Sequence, residues 1–151
     1  MSASPQQLHE MLMYCINFAR TMLADAGDFY PFGATLSHLG TVSAVGGYDG
    51  QERPKPQEIY QLLGNAFAAG ASEGAYLGVA LAANVNIPAQ YSPPSPDGLR
   101  VHLESQGYSR FMYVPYRLKK EGLFKKRTVV EFSEPFAVEI APTFFTVAND
   151  A

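Results

Sequence analysis

His102 and Glu104 are the residues whose types and spacing come closest to a catalytic pair. They stand at i and i+2 in an alternating segment, so a strand puts both on one face. An imidazole and a carboxylate held side by side can pass a proton. The segment from Leu99 to Leu118 alternates apolar and polar residues around Gly107-Tyr108, which predicts a hairpin with a two-residue type II′ turn. That register sets Leu103 opposite Met112, Val101 opposite Val114 and Leu99 opposite Tyr116 on one face. On the other it sets Glu104 opposite Phe111, His102 opposite Tyr113 and Arg100 opposite Pro115. His102, Glu104, Phe111 and Tyr113, with Arg117 farther along, are therefore the candidate ligand- or partner-binding residues, and Tyr30 is a further candidate. An ordinary polar sheet face explains the same residues without catalysis and is the favoured account. Pro115 has no N–H and predicts a sheet edge near its position.

Other nucleophile and metal chemistries fail on context. Gly70-Ala71-Ser72-Glu73-Gly74 matches G-x-S-x-G. A nucleophile elbow needs a strand before the serine and a helix after it, and the pattern here predicts the reverse order. Pro31-Phe32-Gly33-Ala34 before a hairpin resembles the first hairpin of zinc-dependent deaminases. Their chemistry needs H-x-E and P-C-x-x-C. The one H-x-E is His102-Leu103-Glu104 on a late strand, and there is no P-C-x-x-C, so the activity does not carry over. His9, His38 and His102 are scattered and give no metal-ligand spacing. No metal site and no cofactor are expected. Cys15 falls on an apolar helical stripe and reads as a small buried hydrophobe.

The elements that must hold these residues follow from periodicity. Leu8, Met11, Leu12, Cys15, Ala19, Met22 and Leu23 predict helix 1 from about Pro5 to Ala26. Ser4 is its N-cap, Gln7 completes a capping box and Gly27 stops it. Phe32 to Leu36 and Thr41 to Gly46 predict a hairpin, followed by an irregular loop to Pro56. Ile59, Leu62, Leu63, Ala66, Phe67 and Gly70 form the stripe of helix 2. A strand from Ala75 to Ile87 puts Leu77, Val79 and Leu81 on one face and Gly78, Ala80 and Ala82 on the other. A proline-rich loop to Gly98, the hairpin above, a strand from Thr128 to Phe132 and an apolar tail from Phe136 to Val147 complete the chain.

The resulting order is α-β-β-α-β-β-β-β: one α+β domain over residues 1–151, with an antiparallel sheet of about five to six strands and two helices. It resembles the profilin-like and roadblock-like architecture, a likeness of fold that implies no function. Both helices are expected on the Leu77-Val79-Leu81 side. Gly78, Ala80 and Ala82 would then lie bare beside Phe111, Tyr113 and His102, and such a surface predicts a homodimer.

Composition narrows the function classes. The chain has 151 residues, 47% apolar and 17% charged, enough for one packed domain. Net charge is −3, which disfavours nucleic acid as a partner. A single cysteine excludes an intrachain disulfide and suits the reducing cytoplasm. Met1 to Glu10 lacks the basic and apolar regions of a signal peptide, and the apolar run from Gly74 to Val85 is too short to span a bilayer, so no membrane partner is expected. Arg117, Lys119, Lys120, Lys125, Lys126 and Arg127 against Glu121 alone give residues 117–127 a charge of +5, leaving −8 elsewhere. The cluster reads as a solvated hairpin tip whose lysines blunt a sheet edge.

Asp28-Phe29-Tyr30-Pro31-Phe32-Gly33-Ala34, the Gly46-to-Gly50 loop, Leu103-Glu104 and Pro115-Tyr116-Arg117 resemble segments of a family of small uncharacterised bacterial proteins. That resemblance implies a coherent domain and brings no activity, substrate or catalytic residue. The expectation is a non-catalytic binding or interaction module, with a small-molecule enzyme or binder around His102 as the alternative.

Overall fold

The computed structural model describes residues 2–46 and 54–146. Most of the loop expected between Gly46 and Pro56 lies outside these residues, as does Val147.

Helix α1 (Pro5–Ala26) begins where Ser4 accepts the N–H of Gln7 and the Gln7 side chain accepts the N–H of Ser4. It ends at Gly27, whose φ of 73° is left-handed and whose N–H bonds the Leu23 carbonyl. Strands β1 (Phe32–Leu36) and β2 (Val42–Gly46) form the first hairpin, with Gly40 at φ 85° in the turn. Helix α2 (Pro56–Ser72) follows, then β3 (Gly78–Asn86). A short 3-10 turn (Ala89–Tyr91) precedes β4 (Asp97–Ser105), β5 (Tyr108–Glu121), β6 (Arg127–Phe132) and β7 (Phe136–Glu139).

All pairings are antiparallel, and the sheet order is β2-β1-β3-β4-β5-β6 with β7 also beside β5. The apolar tail thus supplies one more strand, β7.

The helices do not share a face, contrary to expectation. α1 packs Met11, Cys15, Ala19 and Leu23 against Ala80, Ala82, Val101 and Leu103. α2 packs Ile59, Leu63 and Phe67 against Val79 and Leu81 on the other side. The small residues of β3 are therefore the seat of α1: a Cβ on Gly78 would press on Met11. Small side chains here mark close helix approach, and the bare face that predicted a homodimer is covered. Along α2, Ile59, Leu63, Phe67 and Gly70 are buried, whereas Leu62 and Ala66 face outward. Phe67 lies over Gly33, where a Cβ would collide with its ring.

The β4–β5 register differs from the predicted one by two residues. The turn is Gln106-Gly107, with φ 80° at Gly107, so Ser105 faces Tyr108, His102 faces Phe111 and Arg100 faces Tyr113. A shift of two keeps the alternation within the hairpin, but the expected match to β3 fails: His102 pairs with Leu81 and Glu104 with Val79, so they share the large-residue face and not that of Gly78, Ala80 and Ala82. The shift also moves Tyr113 away from His102. Pro115 pairs with Gly98 of β4 on one side, and on its other side β5 has no ladder partner at this point. Its carbonyl accepts the N–H of Ser133 there, so the missing N–H falls in the local gap between the β7 and β6 pairings, as the expected edge requires.

Candidate functional site

The predicted pair forms. His102 Nε2 lies 2.7 Å from Glu104 Oε1, inside the α2-side layer. His102 is 4% exposed and Glu104 0%. The Phe144 ring lies 4.7 Å from the imidazole and Phe111 meets it edge-on at 5.4 Å. Ser109 Oγ donates to Glu104 Oε1 at 3.0 Å. The N–H groups of Thr143, Phe144 and Phe145 donate to the same carboxylate at 2.9, 2.7 and 2.6 Å. Burial pushes the Glu104 carboxyl up, but the His102 bond and the amides of Phe145, Thr143 and Phe144 together outweigh it and hold it near 2, against the usual 4.5.

This is a latch. A carboxylate that accepts three successive backbone amides fixes the tail, and its lone pairs are spent on structure. Phe144 closes the α2-side core over the pair, so no reactant reaches the imidazole. Of the other predicted residues, Tyr113 stacks with Phe136 at 5.3 Å and lies 5.6 Å from Tyr91. Arg117 is exposed and donates to the Pro94 carbonyl, away from His102. His38 is exposed and bonds the Gly74 carbonyl at 2.7 Å.

The nucleophile candidates stay inert. Ser72 ends α2 and a strand follows, the reverse of an elbow. Cys15 is 0% exposed, and burial pushes its thiol up to about 12, so it carries no thiolate near neutral pH. Among the described residues, no group of three or more His, Cys, Asp or Glu could hold a metal ion.

The cleft lies elsewhere, at the end of the sheet where β3 runs past the start of β1. Its volume is about 710 Å³. Met22, Phe29, Pro31 and Ala83 give it apolar walls, and Tyr30, Tyr60, Asp28, Asn84 and Arg100 bring polar groups. Pro56 and Gln57 of the α2 first turn form another wall, at a helix start whose Lys55 N-cap makes no side-chain bond. The size falls in the range of roughly 300–1,000 Å³ typical of small-molecule sites.

Arg100 is the unusual member. It is half-buried on the His102 face of β4, with its guanidinium 4.4 Å from the Phe111 ring centre and 5.5 Å from that of Tyr60. One terminal nitrogen donates to the Tyr60 hydroxyl at 3.1 Å. Among the described residues its buried Nε has no hydrogen-bond partner, and no carboxylate pairs with it. Guanidinium groups held this way are expected to meet an acceptor, since an unmatched buried donor costs about 1–3 kcal/mol. Opposite it, Tyr116 donates to Asn84 Oδ1 at 2.6 Å and Asn84 donates to Asp28 Oδ1 at 2.7 Å. That relay fixes the Asn84 amide and the Asp28 carboxylate at the cleft wall. The Tyr116 phenol is pushed up by burial, with the Asn84 bond opposing and Asp97 and Asp28 adding to the rise.

Alternation along β4 already put Arg100 on the same face as His102. The signal that singles it out, a guanidinium with no carboxylate partner among the described residues, depends on contacts from α2 and β5 and has no local trace. Tyr30, the further candidate, does line the cleft. No family model matches the chain, and no curated protein or solved structure matches it.

Proposed function

We propose that the chain is a non-catalytic binding domain whose ligand is a small organic carboxylate with an apolar or aromatic body, held in the Arg100 cleft. The observation that carries this is that Arg100 lines the cleft with a half-buried guanidinium that, among the described residues, has no carboxylate partner. A guanidinium fork matches a carboxylate in two parallel bonds. One cation balances one negative charge, which favours a carboxylate over a doubly charged phosphate. Phe29, Tyr30, Tyr60 and Met22 offer the ligand body apolar surface, and Asp28 with Asn84 selects a hydroxyl or amino group at its far end. A non-catalytic role fits the sealing of the His102–Glu104 pair and of Cys15 in the core, away from the cleft.

A homodimer is not needed for this site, and α1 occupies the face that argued for one. Isothermal titration with benzoate, phenylacetate and 4-hydroxybenzoate tests the proposal, with benzamide as the uncharged control. Benzoate-type anions should bind, benzamide should not, and Arg100→Met should abolish binding. Equal binding of benzamide and benzoate, or no binding by any of the carboxylates, sinks it.

A further inference from the structure

The β5–β6 arm has the build of a docking finger. β4 stops pairing at the Gly98–Pro115 position, so β5 and β6 continue as a two-stranded ribbon from Tyr116–Phe132 to Glu121–Arg127. Its base is anchored: Val130 is buried in the α1-side core, Arg20 donates to the Val130 carbonyl at 3.1 Å, and the Arg20 guanidinium sits over Phe132. Beyond Leu118–Val130, three more pairs carry the ribbon roughly 10 Å farther at strand rise.

The tip is apolar. Leu123 is 93% exposed and Phe124 101%. Lys119, Lys120, Lys125, Lys126 and Arg127 surround them. Lys119 pairs with Glu131 at 2.9 Å and Lys120 bonds the Thr128 hydroxyl. Among the described residues, Lys125, Lys126 and Arg127 have no carboxylate partner. Lys119 and Lys120 lie on opposite faces of the ribbon, since strand neighbours alternate.

Edge protection accounts for the lysines but not for the tip. A strand blunted against aggregation presents charge, and two fully exposed large apolar side chains do the reverse. From this combination we infer that the arm docks on an anionic lipid surface, with Leu123 and Phe124 entering the interfacial zone and the basic collar contacting headgroups. Charge on both ribbon faces fits a flat, laterally uniform surface better than a shaped protein pocket with one charged rim. The match is electrostatic and apolar together, as interfacial anchors require. The −8 on the rest of the chain is held away from such a surface by the projecting arm. The expectation of no membrane partner rested on the lack of a spanning segment. Among the described residues no helix is long and apolar enough to cross a membrane, and a dipping tip needs none. The inference is independent of the Arg100 cleft.

Phe124→Trp gives a direct test because the chain has no tryptophan. Fluorescence is recorded with vesicles of phosphatidylcholine alone and of phosphatidylcholine with phosphatidylserine, and binding is measured by flotation of the unmodified chain. The expected result is a blue shift and quenching by brominated acyl chains on the anionic vesicles alone, weakened by salt. Leu123→Ser with Phe124→Ser should cut vesicle binding roughly tenfold or more. Gln at Lys119, Lys120, Lys125 and Lys126 should cut it at least as far, with circular dichroism unchanged for both variants. No binding to anionic vesicles overturns the inference. So does vesicle binding without a blue shift, and so does retention on heparin or on an acidic protein without vesicle binding.

Discussion

Glu104 and His102 stand two residues apart on β4 with Oε1 and Nε2 at 2.7 Å, and the same carboxylate takes the N–H groups of Thr143, Phe144 and Phe145. One side chain thereby ties a central strand to a tail about forty positions later. Glu104→Gln keeps the shape but loses the charge and turns an NH₂ toward donors. Removing one partner of a buried ionic cluster costs roughly 3–5 kcal/mol. Urea unfolding should show that loss, and hydrogen exchange should show faster exchange at Thr143, Phe144 and Phe145 than the global change explains. Wild-type protection at those amides would mean that the tail is held by its own packing.

The latch also sets an acid response. The folded carboxyl titrates near 2 and the ordinary value is 4.5, so the unfolded chain binds the proton first. The contribution is complete above about 4.5 and disappears as pH falls toward 2, and its size is on the order of 3 kcal/mol. Urea melts from pH 6 to pH 2.5 should therefore show wild type and Glu104→Gln converging as pH falls. A constant gap over that range would show an ordinary carboxyl.

Alternation along β4 was legible, whereas what covers each face was not. It set Leu103 and His102 on opposite sides, which holds despite the two-residue register shift, but it did not tell which β3 face each joins: His102 pairs with Leu81, not with the small-residue face beside Ala80 and Ala82. The expected polar sheet face around His102 is instead core: α2 and Phe144 lie on it. An amphipathic stripe tells that a helix has a sheet to lie on, not which side. Leu103→Ala should cost roughly 2–5 kcal/mol. His102→Ala should cost roughly 2 kcal/mol or more, by stranding a buried carboxylate without one of its donors. Local signals such as the Ser4 box and the Gly27 stop placed α1 to the residue. The Arg100 cleft is assembled from α1, α2, β3 and β4, and no short stretch encodes it.

Cys15 reports on global opening. With 0% exposure and a thiol pushed up to about 12, it should resist iodoacetamide at pH 8 in the native state. Modification should accelerate with urea in step with unfolding. Fast labelling of the native protein would place α1 on a separate, lower-cost opening.

Arg100 separates binding from stability. A guanidinium has five N–H donors, and among the described residues this one gives a single bond, to Tyr60. The group is partly out of water, so the free domain bears a desolvation penalty that no carboxylate among the described residues offsets. Methionine keeps an unbranched, flexible stem of somewhat shorter reach and carries no charge. Arg100→Met should therefore unfold at the same urea concentration as wild type or a higher one, with a gain of up to roughly 1 kcal/mol, because removing poorly compensated buried charge is often stabilising. Benzoate should reverse the order. A ligand at a hundred times its dissociation constant stabilises the native state by about 2.7 kcal/mol, which wild type should show and Arg100→Met should lack. A loss of several kcal/mol in Arg100→Met without ligand would make the guanidinium a strut between α2 and β5, and the cleft would lose its claim to a carboxylate.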